Sequence, residues 1–339
     1  MDKKKGIVIG AAALVLVTSL FSSSPKKEET SEATGTSALS INQLLGNATE
    51  IQEEVLEEGS ASKRILVIPI EGEIGTTGST YNHDLILSSI DQIREDPTIM
   101  AVLLSIDSPG GGVYATREVY DRMKEIQAEI EIPVYASMGS TAASGGYYLS
   151  MLGDKVFASE ETITGSIGVI MSSYNTQDLL EKLGVKPVVI KSADMKDIMS
   201  TSRDMTDAER QVLQTYIDES FQRFVDVVEE GRGMSEEEVR KLADGRIYSG
   251  SQALQAGLVD EMGYEKDALA ALKSDFDLTD AQVFTYTSND LGFGSFFPSL
   301  LGQLGLSSDT TPLGQMDKMI EKIESLDDMK LEYKLQGGY

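Results

Sequence analysis

The chain has 339 residues, with 29 lysines and arginines against 55 aspartates and glutamates, a formal net charge of −26. A chain this acidic is a poor partner for DNA, RNA or other polyanions. It has no cysteine and a single histidine, His83. That excludes a thiol nucleophile, a disulfide framework, a Cys-bearing zinc site and any metal site built on two histidines, and leaves His83 as the sole imidazole for a serine–histidine pair.

Residues 1–5 form a short N-terminus with lysines at positions 3 to 5, and residues 6–24 carry no charge. The uncharged stretch is at the short end of the roughly 17–25 residues a membrane-spanning helix needs. The lysines before it put the N-terminus in the cytoplasm and the remainder outside the cell. We read 6–24 as a retained single-pass transmembrane anchor, with a cleaved signal peptide as the alternative. Residues 25–60 open as a linker rich in Ser, Thr, Lys and Glu. They close on apolar positions among acidic ones over 41–58, a pattern compatible with an amphipathic helix.

From residue 61 to residue 285 strand and helix patterns alternate. Residues 65–70 are a β-branched run holding Pro69 near its end, so that strand is not central along its full length. Residues 84–94 read as a helix. Residues 100–106 are almost wholly apolar, as expected of a strand buried on both faces. Residues 115–130 read as an amphipathic helix, with short strands at 134–137, 155–158, 167–171 and 185–190. Three capping boxes then open helices, at Thr206 with Glu209, Ser235 with Glu238 and Ser249 with Gln252; the expected stops are Gly231, Gly245 and Gly257. The class is α/β, helices packed on a β-sheet. Residues 286–339 form a C-terminal extension. Its 288–315 stretch carries Phe293, Phe296, Phe297 and several leucines with little charge, which suits either a partner surface or ordinary buried packing.

Three clusters have the composition for chemistry. Asp107-Ser108-Pro109-Gly110-Gly111-Gly112 follows the buried strand. Glycines there let backbone N–H groups approach an oxyanion or phosphate closely, and equally suit a plain strand-to-helix turn. Ser144 stands among small residues ahead of Gly145 and Gly146. A serine at a helix N-terminus is well placed as a nucleophile, and equally as a helix cap. Its base is either His83, in a polar loop, or a lysine made less basic by desolvation. Lys196 lies between Met195 and Ile198-Met199, and is otherwise a surface lysine beside Asp194 and Asp197.

Together DSPGGG at 107–112, MGSTAASGGYY at 138–148, TGSIGVI at 164–170, MKDIMS at 195–200 and GRIYSGSQALQAGLVDEMG at 245–263 resemble the signal peptide peptidase A family. These are membrane-anchored serine/lysine proteases of the Clp/crotonase superfamily, and the motifs stand in the family's order. The resemblance implies a Clp/crotonase-like fold for residues 61–285. It makes Ser144 the nucleophile, Lys196 the general base and Ser166 the serine that orients the lysine. Gly111 and Gly145 become the donors of the oxyanion hole. No metal or cofactor is implied. The family's single-domain members are expected to form homo-oligomers in which the lysine reaches a neighbouring protomer's serine. The implied substrates are remnant signal peptides, cut within their apolar region.

Three other functions fit parts of the pattern: a Clp-type Ser-His-Asp peptidase using His83, an acyl-CoA enzyme on a crotonase-like fold, and a catalytically silent membrane-tethered scaffold that binds peptides. Residues 329–336 alternate apolar and polar side chains, so they are expected either to lie extended in a substrate groove as a self-inhibitor or to fray.

Overall fold

In the computed structural model, which describes residues 51–75, 80–288 and 332–334, the apolar runs pair into one largely parallel sheet. The elements in chain order are β1 (Ile51–Glu57), β2 (Ser60–Glu71), α1 (His83–Glu95), β3 (Ile99–Ser108), β4 (Gly110–Gly112), α2 (Val113–Ile130), β5 (Val134–Ala143), α3 (Gly145–Ser150), β6 (Lys155–Ala158) and β7 (Ile163–Gly165). There follow α4 (Gln177–Lys182), a 3₁₀ turn at Asp194–Asp197, α5 (Asp207–Arg232), α6 (Glu236–Leu242), β8 (Ile247–Ser249), α7 (Gly250–Gln255), β9 (Glu261–Met262), α8 (Glu265–Asp275), β10 (Ala281–Ser288) and β11 (Glu332–Lys334). The main sheet runs β1-β10-β2-β3-β5-β6-β9, with β7 branching from β5 and carrying β8.

Side chains alternate across a strand, and both faces of this sheet are covered. Leu66, Ile68 and Ile70 of β2, with Val102, Leu104 and Ile106 of β3, join the helices α1, α2, α3 and α5 in one core. Ile65 and Val67, with Ala101 and Leu103, meet Ala268 and Leu272 of α8 on the other face. That is why β3 reads as an unbroken apolar run rather than an alternating one. Pro69 fits where it stands. It pairs with Ser105 of β3 on one side, while β10 pairs with β2 only as far as Val67. Its missing N–H therefore falls where the ladder has already thinned.

All three capping boxes form, at Thr206, Ser235 and Ser249. Helix α5 runs one residue past the expected stop at Gly231, through Arg232, and ends on Gly233 at φ 62°. The expected helix over 41–58 is a strand where it is described: Ile51–Glu57 pairs antiparallel with β10. The sheet thus reaches from Ile51 to Ser288, beyond 61–285 at both ends. No strand forms at 167–171, because Gly165 and Ser166 take φ values of 78° and 50° that turn the chain off β7. Nor does 185–190, which lies along the surface with Val188 and Ile190 85% and 98% exposed. Its composition suits a strand, but among the described residues no neighbour offers a ladder. Segment 6–24, the linker as far as residue 50 and the 289–331 part of the C-terminal extension lie outside the described residues. Among the described residues no helix is long and apolar enough to cross a membrane.

Candidate active site

The C-terminal ends of β3 and β5 carry the two glycine-rich motifs. After Ser108 the chain turns through Gly110, at φ 96°, into the short strand β4. Ser108 fixes this turn from within: its buried hydroxyl donates to the Gly72 carbonyl at 2.6 Å and accepts the Gly110 N–H at 3.1 Å. Asp107 ties the turn to β5 by accepting from the Ser140 hydroxyl at 2.7 Å and the Thr141 N–H at 2.9 Å.

Gly111 is pinned against Ile74. The Ile74 N–H donates to the Gly110 carbonyl at 2.9 Å and the Gly112 N–H donates to the Ile74 carbonyl at 2.7 Å. Backbone polar groups alternate sides along an extended chain, so the Gly111 N–H points away from Ile74. That free side is the one paired antiparallel by β11, with Tyr333 opposite Gly111. A β-carbon on Gly111 would lie 2.0 Å from the Ile74 carbonyl oxygen, so only glycine fits.

Ser144 lies at the N-terminus of α3 with φ 53° and ψ −114°, a conformation unfavourable for a residue with a β-carbon. The surroundings hold it there. Its N–H donates to the Gly165 carbonyl at 2.8 Å, its carbonyl accepts from Tyr148 N–H at 2.8 Å, and β5 pairs with β7 at Ala143 and Gly165. The residue is buried, and its Oγ has no hydrogen-bond partner among the described residues. An unpaired buried hydroxyl on a strained elbow is costly, and such features concentrate at functional sites. Gly145 opens the helix directly after it. Gly146 cannot carry a side chain, because its β-carbon would meet the Ser108 carbonyl oxygen at 2.7 Å. Helix α3 packs against β4, which brings Ser144 and Gly145 to the glycine loop.

Ser166 follows β7 directly. It is buried, has φ 50°, and its N–H donates to the Arg246 carbonyl at 2.8 Å. It is one residue beyond the carbonyl that holds Ser144. Gly111, Ser144, Gly145 and Ser166 therefore share one neighbourhood. Lys196 is tied to them by no hydrogen bond among the described residues. It sits exposed on the 3₁₀ turn Asp194–Asp197, and makes no hydrogen bond through its ammonium or ion pair among the described residues. The segment around it presents Tyr174, Leu183, Val188 and Ile190 to solvent.

His83 is not the solvated loop histidine its polar sequence setting suggests. It is buried at the start of α1, with Nε2 3.0 Å from Glu118 Oε2 and Nδ1 3.1 Å from the Tyr81 hydroxyl. Burial pushes the Tyr81 phenol well above its ordinary range. Both imidazole nitrogens are thus engaged, and neither is bonded to Ser144. Sequence reasoning missed the Ile74 contact that orients Gly111, since a lone isoleucine after Glu73 carries no signal. It also missed the positive φ of Ser144 and Ser166, which only their glycine neighbours hinted at.

The description "Peptidase family S49" belongs to a family model that matches residues 126–279, a span holding Ser144, Ser166 and Lys196. A second, "Clp protease", matches residues 62–163, which includes Gly111. A protein of Enterococcus faecium named for signal peptide peptidase SppA is 42% identical over 302 residues, covering 87% of this chain and 88% of that protein. Protease 4 of Haemophilus influenzae is 29% identical over 296 residues, 82% of this chain but 47% of that protein. The chloroplastic serine protease SPPA of Arabidopsis thaliana is 31% identical over 205 residues, 60% of this chain and 30% of that one.

Proposed function

We propose that this chain, which belongs to peptidase family S49 and is a serine protease, cuts peptides with a Ser144–Lys196 dyad whose two halves come from neighbouring protomers. The observation that carries this is the buried, strained Ser144 with its unpartnered Oγ beside the glycine loop. Neutral Lys196 takes the Ser144 proton, and the alkoxide attacks the scissile carbonyl. The N–H groups of Gly111 and Gly145 hold the developing oxyanion. Ser166 orients the lysine. Protonated Lys196 gives that proton to the departing amine as the acyl-enzyme forms; neutral again, it takes a proton from the attacking water and returns it to Ser144 Oγ as the acid product leaves.

The distribution of residues over the surface supports a shared site. Among the described residues no base is bonded to Ser144, while Lys196 is carried on a segment whose large apolar side chains are exposed. Covering those side chains with a second copy would bring a lysine and apolar surface together, and burial beside them lowers the ammonium's hold on its proton. The substrates we assign are remnant signal peptides; the similar protein of E. faecium is named for signal peptide peptidase SppA. We place the catalytic domain outside the cell, tethered by segment 6–24 with the N-terminus in the cytoplasm.

The C-terminal segment marks the substrate path. Glu332–Lys334 lies extended against Gly110–Gly112, as a peptide adding a strand to an open edge would. A bound substrate takes this place, so the chain's own end competes with it. Deleting residues 329–339 is expected to raise kcat/KM on a short apolar peptide about tenfold, because a tethered competitor acts at high effective concentration. Unchanged kcat/KM in the shortened enzyme would remove the tail from this role. Serine-reactive phosphonate labelling tests the enzyme itself. Label on the wild type that is lost in Ser144→Ala supports a peptidase using Ser144; a wild type that takes no label leaves only a peptide-binding scaffold.

A further inference from the structure

We infer that Arg203 and Asp197 are positioning residues for Lys196, forming a clamp that seats the lysine's turn on α5 and keeps the adjacent carboxylate from pairing with it. This rests on the proposal that Lys196 is the base. The clamp is built from charge-assisted bonds in a fork geometry. Arg203 Nε donates to Asp197 Oδ2 at 3.0 Å and Nη2 to Oδ1 at 2.8 Å, and Nη2 also reaches the Asp197 carbonyl at 3.1 Å. The same guanidinium grips the Glu209 carboxylate, with Nη1 on Oε2 at 2.9 Å and Nη2 on Oε1. Glu209 is itself buried in the capping box of α5, accepting from the Thr206 N–H and hydroxyl at 2.9 and 3.0 Å. Lys191 closes the other side, donating to Asp197 Oδ1 and to the Asp194 carbonyl, both at 2.7 Å.

The consequence concerns charge. Asp197 is the residue next to Lys196, and an adjacent free carboxylate would stabilise the ammonium and suppress the base. Instead both Asp197 oxygens are held by two cations. The groups around the turn are Lys191 and Arg203, positive, against Asp197 and Glu209, negative, with Asp194 exposed on the turn itself and Asp204 turned to Asn175 at 2.6 Å. Arg203 first, then Lys191, hold the Asp197 carboxyl far below its usual range. Arg203 and Thr206 bring Glu209 down to about 2. Neither carboxylate titrates where a lysine base would, so the clamp keeps constant charge across the working pH range. It fixes where the turn lies and leaves Lys196 without an ion pair among the described residues.

The test is the pH profile of kcat/KM for the full-length enzyme on an apolar peptide. Activity that needs neutral Lys196 rises with pH through the lysine's pKa. Arg203→Gln removes a positive charge, raises that pKa and moves the rising limb up by about half a pH unit. Asp197→Asn removes a negative charge and moves the limb down by a similar amount. Arg203→Lys keeps the charge but loses the fork, so kcat falls while the limb stays at its wild-type position. Opposite shifts in the first two variants are what the inference requires. Limbs that stay put, or move the same way in both, would reduce the clamp to ordinary structural packing and overturn it. Lys196→Ala in the same assay separates the two levels. Retained activity there overturns the base assignment and the clamp together, whereas a silent Lys196→Ala with unmoved limbs overturns the clamp alone.

Discussion

Ser144→Ala and Lys196→Ala, each made alone, are expected to lose peptide cleavage by on the order of 10⁴-fold or more, since groups that act as one unit fail together. Neither variant should unfold. Ser144 holds α3 through its backbone, not through its hydroxyl, which makes no hydrogen bond among the described residues. Lys196 is exposed and makes no ion pair among the described residues, so its truncation costs little stability. The two variants should differ in phosphonate labelling. Ser144→Ala has no oxygen to label, while Lys196→Ala keeps the oxygen but lacks the base, so its labelling slows without vanishing. His83→Ala supplies the contrast. His83 bridges Tyr81 and Glu118, so its removal should lower stability and leave the shape of the pH–rate profile alone. A profile that lost a histidine-like limb in His83→Ala would point to a serine–histidine enzyme.

The second large effect belongs to Gly111. Its β-carbon would lie 2.0, 2.6 and 2.7 Å from the oxygen, nitrogen and carbonyl carbon of Ile74. All three are backbone atoms, which cannot swing aside as the end of a flexible side chain can. Gly111→Ala must therefore displace β4, and with it the N–H that faces the paired strand. Losing one oxyanion donor typically costs about 10²–10³-fold in kcat. The loss should fall mainly on kcat, because the donor is fully engaged only in the transition state. A Gly111→Ala enzyme with near-normal kcat would show that this N–H does not hold the oxyanion.

How much of this was legible beforehand follows from where each signal is encoded. Strand β3 and helix α2 were plain because burial on both sheet faces writes a continuous apolar run, and burial on one helix face writes a 3.6-residue period. The three capping boxes were plain because both partners lie within four residues of each other. Strand β1 was not. Ile51 and Val55 stand four apart, as on a helix, and an edge strand exposed over most of its length writes no alternation. Residues 185–190 misled in the opposite direction: Val188, Val189 and Ile190 favour a strand, yet nothing in the described chain covers them. Intrinsic preference did not decide there because no packing partner lies on the element among the described residues. Ser144 and Lys196 were singled out through motif resemblance. Composition only narrowed the choice, by removing cysteine and leaving one histidine. The clamp on Asp197 was out of reach of sequence reasoning, since Arg203 and Glu209 look like any charged pair around the start of a helix.

The central claim, that one protomer's Ser144 works with another's Lys196, is tested most directly by combining the two inactive variants. Ser144→Ala and Lys196→Ala chains carrying different affinity tags are co-expressed, purified through both tags, and assayed on an apolar peptide. In a mixed ring with sites shared between neighbours, a site works when an intact serine meets an intact lysine, so recovery of about a quarter of wild-type activity is expected for equal, random mixing. A mixed assembly as inactive as its parents would contradict the account, because it would mean that each active site draws both residues from one chain.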